Sequence, residues 1–425
     1  MITEKTVHID DKLGAQYTVF KHETGLTVLL MKMEGFSTVN AAFATRYGSV
    51  NTTFRTREDK DFVTVPMGIA HYLEHKLFEN EDCDVFELYA KTGASGNAYT
   101  SFDQTVYTFS CTDNYQQSLG ILLDFVQAPF FTEENVEKER GIIAQEIKMC
   151  SDSPERQCFY NLLKAMYKNN PVRIDIAGTV ESIQDIDPAL LYRCYNAFYD
   201  LHNMILVVAG DIDEDEVIAI CDEHLRPSKD LGVEVSFPEE PENVSEKVVE
   251  EQFSVGTELF NIGFKVRPFK GRELLKMQLC ANVLIQLLAD SASPLYKTMY
   301  EQGLINNVFS SEVFFGDGFF ACIFDGESQQ PLKVRDMITD EIKRVKRDGI
   351  DTERFEIIRK SMYGSLVREF NNVEACTNNL TSAGLLDIDL FDMTDDLASL
   401  TEQELMDCID ILFDTEKVSV SIIKN

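Results

Sequence analysis

Two histidines and one glutamate within a five-residue stretch have the residue types and spacing of a metal site. His71, Glu74 and His75 form the pattern H-x-x-E-H. At about 100° per residue the three side chains share one face of a helix, and histidines at i and i+4 can bind one metal ion from adjacent turns. The H-E-x-x-H helix of zinc peptidases offers Zn²⁺ the same geometry with the chain direction reversed. The stretch therefore predicts a zinc site with a carboxylate beside it.

The opposite face of the same stretch predicts the helix that would hold this site. Ile69, Leu73 and Leu77 recur at helical spacing, so this face would pack into a core. The alternative is a chance cluster of exposed polar residues. Because the chain contains only six histidines, a pair at this spacing with a glutamate inside it is unusual, and we favour the metal site.

A catalytic zinc site needs a third protein ligand and one open position. A second predicted helix, over residues 132–149, is rich in glutamate. Glu139 and Glu146 lie seven residues apart and share a face of this helix, so that one could bind the metal while the other supports it. The alternative is that these glutamates are solvated surface charges. We expect that outcome for the three that precede them: Glu133, Glu134 and Glu137.

A segment of mostly small residues, 93–100, leads from the next helix into a strand. Small residues permit another backbone to approach closely, so this segment could receive a peptide. It could equally be a simple connection, and composition does not decide between the two.

The length and the order of elements predict two domains. A chain of 425 residues with 44% hydrophobic residues exceeds one ordinary domain. Residues 226–247 contain three prolines and a charge cluster, which indicates a linker between domains at 1–225 and 248–425. The second half repeats the order of strands and helices of the first, which indicates duplication. No histidine follows His224, so only the first half can hold the metal.

Composition excludes several classes of protein. The formal charge of −33 opposes nucleic-acid binding, because a phosphate backbone would be repelled. The longest apolar-rich run, residues 274–289, is interrupted by polar side chains and predicts a buried amphipathic helix, with no membrane span. The N-terminal residues lack the pattern of a secretory signal. Ten cysteines without a C-x-x-C pair fit free thiols. We therefore expect a cytoplasmic protein.

In these motifs the chain resembles the pitrilysin/insulinase family of inverted zincins, over nearly its full length. The resemblance is carried by the H-x-x-E-H motif, by two glutamates on one helix, by a short turn and by a strand with its flanks. These are His71, Glu74 and His75; Glu139 and Glu146 in Glu139-Arg140-Gly141-Ile142-Ile143-Ala144-Gln145-Glu146; Asn97-Ala98-Tyr99-Thr100; and Asn203-Met204 leading to Gly210-Asp211.

The resemblance implies a fold and a site. The fold is α+β, with two tandem repeats of the LuxS/metallohydrolase or processing-peptidase type, each an antiparallel sheet with helices on one face. One Zn²⁺ per chain would be held by His71, His75 and Glu146. Glu74 and Glu139 would be the catalytic residues, with Glu139 behind Glu146 and Glu74 exchanging a proton with the attacking water. A substrate strand would add to the edge formed by Asn97, Ala98 and Tyr99 by β-augmentation.

The chain departs from the family pattern in its second half. Family members that complete a site carry an arginine and a tyrosine in the segment corresponding to residues 293–307, which here has no arginine and has Asn306 or Asn307 near the tyrosine position. In this respect the chain resembles the zinc-bearing member of small bacterial pairs. We expect a zinc endopeptidase acting on peptides or small unfolded polypeptides, in a homo- or heterodimer with a paralogue that lacks the metal motif. The alternative is a non-catalytic peptide-binding or scaffold subunit.

Overall fold

The computed structural model describes residues 1–81 and 84–425, which form two compact units. Unit 1 contains residues 1–147, 175–236 and 366–391, and unit 2 contains residues 148–174, 237–365 and 392–425. The strands are β1 (Ile2–Asp10), β2 (Ala15–His22), β3 (Thr27–Lys32), β4 (Val39–Thr45), β5 (Thr53–Arg55), β6 (Val63–Thr64), β7 (Ser95–Thr100), β8 (Thr105–Cys111), β9 (Met204–Gly210), β10 (Glu234–Val235), β11 (Val248–Gln252), β12 (Leu259–Val266), β13 (Ser310–Gly316), β14 (Phe319–Glu327) and β15 (Val418–Lys424). The α-helices are α1 (Ile69–Leu77), α2 (Val85–Thr92), α3 (Tyr115–Val126), α4 (Glu133–Ser151), α5 (Pro154–Met166), α6 (Pro188–Phe198), α7 (Glu214–His224), α8 (Gly271–Ala289), α9 (Pro294–Glu301), α10 (Pro331–Asp348), α11 (Thr352–Glu369), α12 (Val373–Leu385), α13 (Leu390–Ser399) and α14 (Glu402–Leu412).

Seven strands of unit 1 form a sheet in the order β1-β2-β3-β9-β4-β8-β7. Strands β3 and β9 are parallel, and the other neighbours in this sheet are antiparallel. The residues of β4 and β9 are all buried. A mostly apolar strand that is buried on both faces belongs in the interior of a layered fold. Strands β2 and β3 form an antiparallel hairpin.

Helices cover both faces of this sheet. Ala41 and Phe43 of β4 lie in a core with side chains of α1 and α3. On the opposite face α12 packs on β4 and β9, and Gly384 lies so close to the sheet that a Cβ atom there would be 2.9 Å from the side chain of Ile205. The sequence predicted helices on one face, and the structure adds α12 on the other.

Unit 2 contains a second sheet in the order β11-β15-β12-β14-β13. It begins with a parallel pair, β11 and β15, and continues antiparallel, as does the series β3-β9-β4-β8-β7 of unit 1. The repeated order agrees with the predicted duplication and with the α+β class. Helix α5 packs on β12 and β15, and a Cβ atom on Gly263 would lie 2.6 Å from the sulfur of Met166.

The two units do not coincide with the predicted domains at 1–225 and 248–425, because each includes one helix from the other half of the sequence. Helix α5, from the first half of the sequence, belongs to unit 2, and α12, from the second half, belongs to unit 1. The apolar stripe of a helix requires a partner surface but does not specify which sheet supplies it, so periodicity could not reveal the exchange. The predicted linker at 226–247 is partly structured, because β10 within it pairs with β5.

Two expectations from the composition concern the cysteines and membrane-spanning helices. The nine cysteines among them are free thiols, and eight of these are buried. Cys83 lies outside the described residues. Among the helices of the described chain, none has both the length and the apolar composition needed to cross a membrane.

Gly68 fixes where the H-x-x-E-H helix begins. It caps α1 in the left-handed conformation, with φ of 89°, which favours glycine. A Cβ atom at this position would lie 2.4 Å from the carbonyl oxygen of Ala177, which is backbone and cannot rotate away. The start of α1 is thus set by a close contact that only glycine permits.

We expect Gly68→Ala to lower the free energy of unfolding by at least about 2 kcal/mol, because a left-handed alanine alone costs about 1–2 kcal/mol and the steric contact adds to it. Gly141→Ala on α4 is the matched control, since a Cβ atom there meets nothing within 4 Å. In a helix interior that change stabilises by up to about 1 kcal/mol. Denaturant unfolding of both variants measures the difference, and equal stability of Gly68→Ala and wild type would contradict this description of α1.

Candidate metal centre

Helix α1 presents the H-x-x-E-H side chains to the interior of unit 1. Ile69, Leu73 and Leu77 are buried in the core, as the sequence predicted. His71 and Glu74 are nearly as buried, with 8% and 9% of their surfaces exposed. The side chains of His75 and of Glu146 on α4 are 25% and 31% exposed, so the polar face is partly buried and partly open to solvent.

Helix α4 supplies the carboxylate that meets both imidazoles. His71 Nε2 lies 3.5 Å from Glu146 Oε1, and His75 Nε2 lies 3.5 Å from Glu146 Oε2. One possible ligand atom from each of the three residues lies within 4.8 Å of the others. The structure thus brings together the three residues that the family resemblance implied as metal ligands.

Glu139 contacts His75 and supports its orientation. His75 Nδ1 lies 2.9 Å from Glu139 Oε1, at hydrogen-bond distance. The resemblance placed Glu139 behind Glu146, whereas the structure places it against a histidine. With Nδ1 bound to a carboxylate, Nε2 of His75 is left to face Glu146. This is the arrangement in which a carboxylate fixes the tautomer of a metal-binding histidine.

The electrostatics of the cluster favour positive charge. Burial alone would lower the pKa of His75, but the hydrogen bond with Glu139 and the charges of Glu74, Glu139 and Glu146 outweigh burial and raise it. Burial alone would likewise raise the pKa of Glu139, but its hydrogen bond with His75 and the nearby positive charges lower it. The lowered pKa of Glu139 thus keeps this carboxylate ionised beside His75, which is a suitable environment for a cation.

These residues fit a zinc ion on two counts. Two imidazole nitrogens and a carboxylate oxygen are the donor types of catalytic zinc sites. Ligand atoms bound at 2.0–2.1 Å to a tetrahedral ion are about 3.3 Å apart, and Nε2 of each histidine lies 3.5 Å from one of the two oxygens of Glu146. One ligand atom from each residue lies within 4.8 Å of the others, so the three would draw closer together to bind one ion.

Glu74 lies on the same helix face and has a different partner. Its Oε2 accepts a hydrogen bond of 2.8 Å from Thr100 Oγ1. Thr100 is the last residue of β7, which ends the seven-stranded sheet. The sequence motif contained Thr100, but its spacing gave no sign that the hydroxyl would reach Glu74.

Strand β7 carries the predicted substrate residues at a free sheet edge. Among the described strands it pairs only with β8, so its other side can accept a strand. Asn97 and Tyr99 are exposed and Ala98 is half-buried. The structure therefore makes residues 93–100 a helix end and an edge strand instead of a simple connection.

Two further features of α1 were not anticipated by sequence reasoning. The hydroxyl of Tyr72, which is fully buried, donates to the carbonyl oxygen of Val136 in the first turn of α4. Lys76 is also fully buried, and its ammonium group pairs with Glu79. Lysine side chains are normally exposed, so no sequence signal indicated that Lys76 would be buried.

The resemblance directs attention to the segment at 293–307, where it implied an arginine and a tyrosine in other family members. Tyr300 on α9 is 53% exposed and stacks on Tyr296. Asn306 donates to Glu327 and accepts from the backbone of Val308, so its amide is already engaged on both sides.

Comparison with known families identifies the family of the chain. Residues 64–180 match the family model described as Insulinase (Peptidase family M16), and residues 185–362 match the one described as Peptidase M16 inactive domain. The chain belongs to the M16, or pitrilysin/insulinase, family of peptidases. All of the site residues described above, from His71 to Glu146, lie within the first of these matches.

Individual relatives place the chain within that family. The protein named Uncharacterized zinc protease YmfH of Bacillus subtilis (strain 168) is 39% identical over 394 residues, 92% of each chain. A solved structure of an M16-like peptidase from Alicyclobacillus acidocaldarius is 35% identical, with a TM-score of 0.93 over 96% of this chain and 98% of that one. The periplasmic protease PqqL from Escherichia coli shares the fold at 18% identity, with a TM-score of 0.76; the match covers 99% of this chain and 48% of PqqL.

Proposed function

We propose that the chain is a zinc-dependent endopeptidase that hydrolyses peptides or small unfolded polypeptides. The observation that carries the proposal is the convergence of His71, His75 and Glu146, with Glu74 beside them on the same helix. The family membership and the zinc-protease names of relatives support the same chemistry.

The roles of the residues follow from their contacts. A zinc ion held by His71, His75 and Glu146 would polarise the scissile carbonyl and make a water molecule more acidic. Glu74 accepts the proton of the attacking water and later delivers it to the nitrogen of the leaving amine. Glu139 holds His75 through Nδ1 and so acts as a positioning residue.

The edge of β7 gives the substrate a place to bind. An extended peptide that pairs with residues 97–99 would be recognised through backbone hydrogen bonds. This mode of recognition suits a peptidase that acts on unfolded segments. Because β7 also ends at Thr100, the bound peptide would run close to Glu74.

A non-catalytic peptide-binding subunit is the second candidate function. It is favoured by the match of residues 185–362 to a model described as an inactive domain. That match lies outside the site, and the chemical residues are all present in residues 64–180. The enzyme therefore accounts for more of the observations.

We further propose that the chain acts in the cytoplasm and in a pair. The nine described cysteines are free thiols, which suits a reducing compartment, although the PqqL relative is named as periplasmic. PqqL contains the present fold in 48% of its chain, so about half of that protein remains for other structure. We infer a dimer, with a second copy or with a paralogue that lacks the metal motif and supplies an arginine and a tyrosine.

The metal proposal predicts one Zn²⁺ per chain. Glu146→Gln should lose zinc, because a charged ligand becomes a neutral amide, and Glu139→Gln should weaken zinc binding by about 10- to 100-fold. Glu137→Gln on the same helix is the control, since its side chain is 71% exposed and pairs with Arg140. Metal analysis after dialysis against a graded chelator series gives the answer, and full zinc occupancy in Glu146→Gln would exclude the assigned third ligand.

The general-base proposal predicts a split between metal binding and turnover. Glu74→Gln should keep zinc and lower kcat by about a hundredfold or more, because an amide cannot take the proton. Peptide hydrolysis is measured beside zinc content, again with Glu137→Gln as the control. A zinc-loaded Glu74→Gln variant that cleaves at the wild-type rate would refute the assignment.

The pairing proposal predicts a gain of activity on assembly. A donor aimed at the developing oxyanion is worth about 3 kcal/mol, so a metal-less paralogue that carries the arginine and tyrosine should raise the rate by about a hundredfold. Alanine in place of the paralogue's arginine should remove the gain.

Tyr300→Phe in the present chain is the control that tests whether this chain supplies its own donor to the developing oxyanion. Full turnover by the chain alone, unaffected by the paralogue and lost in Tyr300→Phe, would show that the chain supplies its own donor and that pairing is unnecessary.

A further inference from the structure

We propose that Thr100 is a positioning residue that couples the substrate strand to the general base. Its hydroxyl donates a 2.8 Å hydrogen bond to Glu74 Oε2. The inference rests on the proposed function, in which Glu74 moves the proton. It assigns Thr100 a role toward Glu74 and none toward the metal ligands.

The alternation of side chains along β7 explains why the hydroxyl reaches Glu74. Ser95, Asn97 and Tyr99 are exposed, whereas the residues between them are half-buried. Strand β7 packs against α1 and α2, and a Cβ atom on Gly96 would lie 2.5 Å from the ring of Tyr89. The inner face of β7 is therefore made of small residues until Thr100, where a side chain has room to extend towards α1.

The type of residue suits a fixed donor. Threonine is branched at Cβ and holds few χ1 rotamers, so its hydroxyl points in a defined direction once the strand is fixed. Glutamate has three rotatable bonds and would otherwise sample several positions of its carboxylate. With Oε2 held by Thr100, Oε1 of Glu74 is the oxygen left for the proton.

Strand β7 has a second role at its unpaired edge. Asn97 and Tyr99 lie on the edge strand where a peptide can add by backbone hydrogen bonds. Thr100, one residue beyond Tyr99, is already paired with Thr105 of β8 and already donates to Glu74. A peptide that adds along β7 would therefore bind beside a donor that the strand holds in place, so that the general base is oriented before the substrate arrives.

The test compares Thr100→Val with Thr100→Ser in the full chain, under the conditions in which the wild type turns over. Thr100→Val keeps the shape and removes the hydroxyl, and we expect kcat to fall about tenfold with KM within twofold of wild type and zinc content unchanged. Thr100→Ser restores a hydroxyl and should recover most of kcat. Thr27→Val on β3 is the matched control, because its hydroxyl accepts from Lys21 in an exposed pair away from the site.

A readout without turnover separates positioning from a structural role. Peptide affinity measured by titration in the Glu74→Gln background should be the same with Thr100 and with valine at that position, since the hydroxyl acts through the Glu74 carboxylate. If Thr100→Val does not fold or load zinc, Thr100→Ala removes the same hydroxyl without the apolar branch and takes its place.

The outcomes distinguish the two proposals. Wild-type kcat in a folded, zinc-loaded Thr100→Val variant overturns the inference, as does an equal loss in Thr100→Val and Thr100→Ser. A weaker peptide affinity of the valine variant in the Glu74→Gln background also overturns it. If Glu74→Gln itself retains wild-type turnover, the proposed function fails, whatever Thr100 does.

Discussion

The site depends on the junction between α1 and α4. Helix α1 brings His71, Glu74 and His75, and α4 brings Glu139 and Glu146. The two helices are held together by the Tyr72 hydroxyl on the carbonyl of Val136 and by the hydrogen bond between His75 and Glu139. A contact that orients a proposed metal ligand is therefore also part of what fixes the two helices relative to each other. Small shifts at this junction would change donor separations that now suit one small cation.

The sheet supports that junction from the other side. Strand β7 is its edge, and this strand contributes both the free backbone side for a peptide and the hydroxyl that holds Glu74. The position of α1 over β7 depends on small residues along the inner face of the strand and on Gly68 at the start of the helix. Backbone packing thus determines where Glu74 lies, and the polar residues of the site occupy positions that the packing leaves open.

The sequence alone was enough to predict the features that depend on short-range residue spacing. The faces of α1 follow from the spacing of Ile69, Leu73 and Leu77. The pair Glu139 and Glu146 could be proposed from a seven-residue spacing, but not which of them would meet both histidines, because side-chain direction depends on how α4 crosses α1. Glu139 contacts His75, whereas the resemblance placed it behind Glu146, and this difference is a result of that crossing. The exchange of α5 and α12 and the burial of Lys76 are long-range packing outcomes that no local pattern encodes.

The central claim is that His71, His75 and Glu146 form the protein's share of a catalytic zinc site. Anomalous X-ray diffraction at the zinc edge, on crystals of the zinc-loaded chain, tests it most directly. The account predicts one anomalous peak in residues 64–180, at about 2.0–2.2 Å from Nε2 of both histidines and from a carboxylate oxygen of Glu146, with Glu139 bound to His75 and not to the metal. A peak bound by Glu139 or by Glu74, or a zinc-loaded crystal with its peak at other residues, would contradict it.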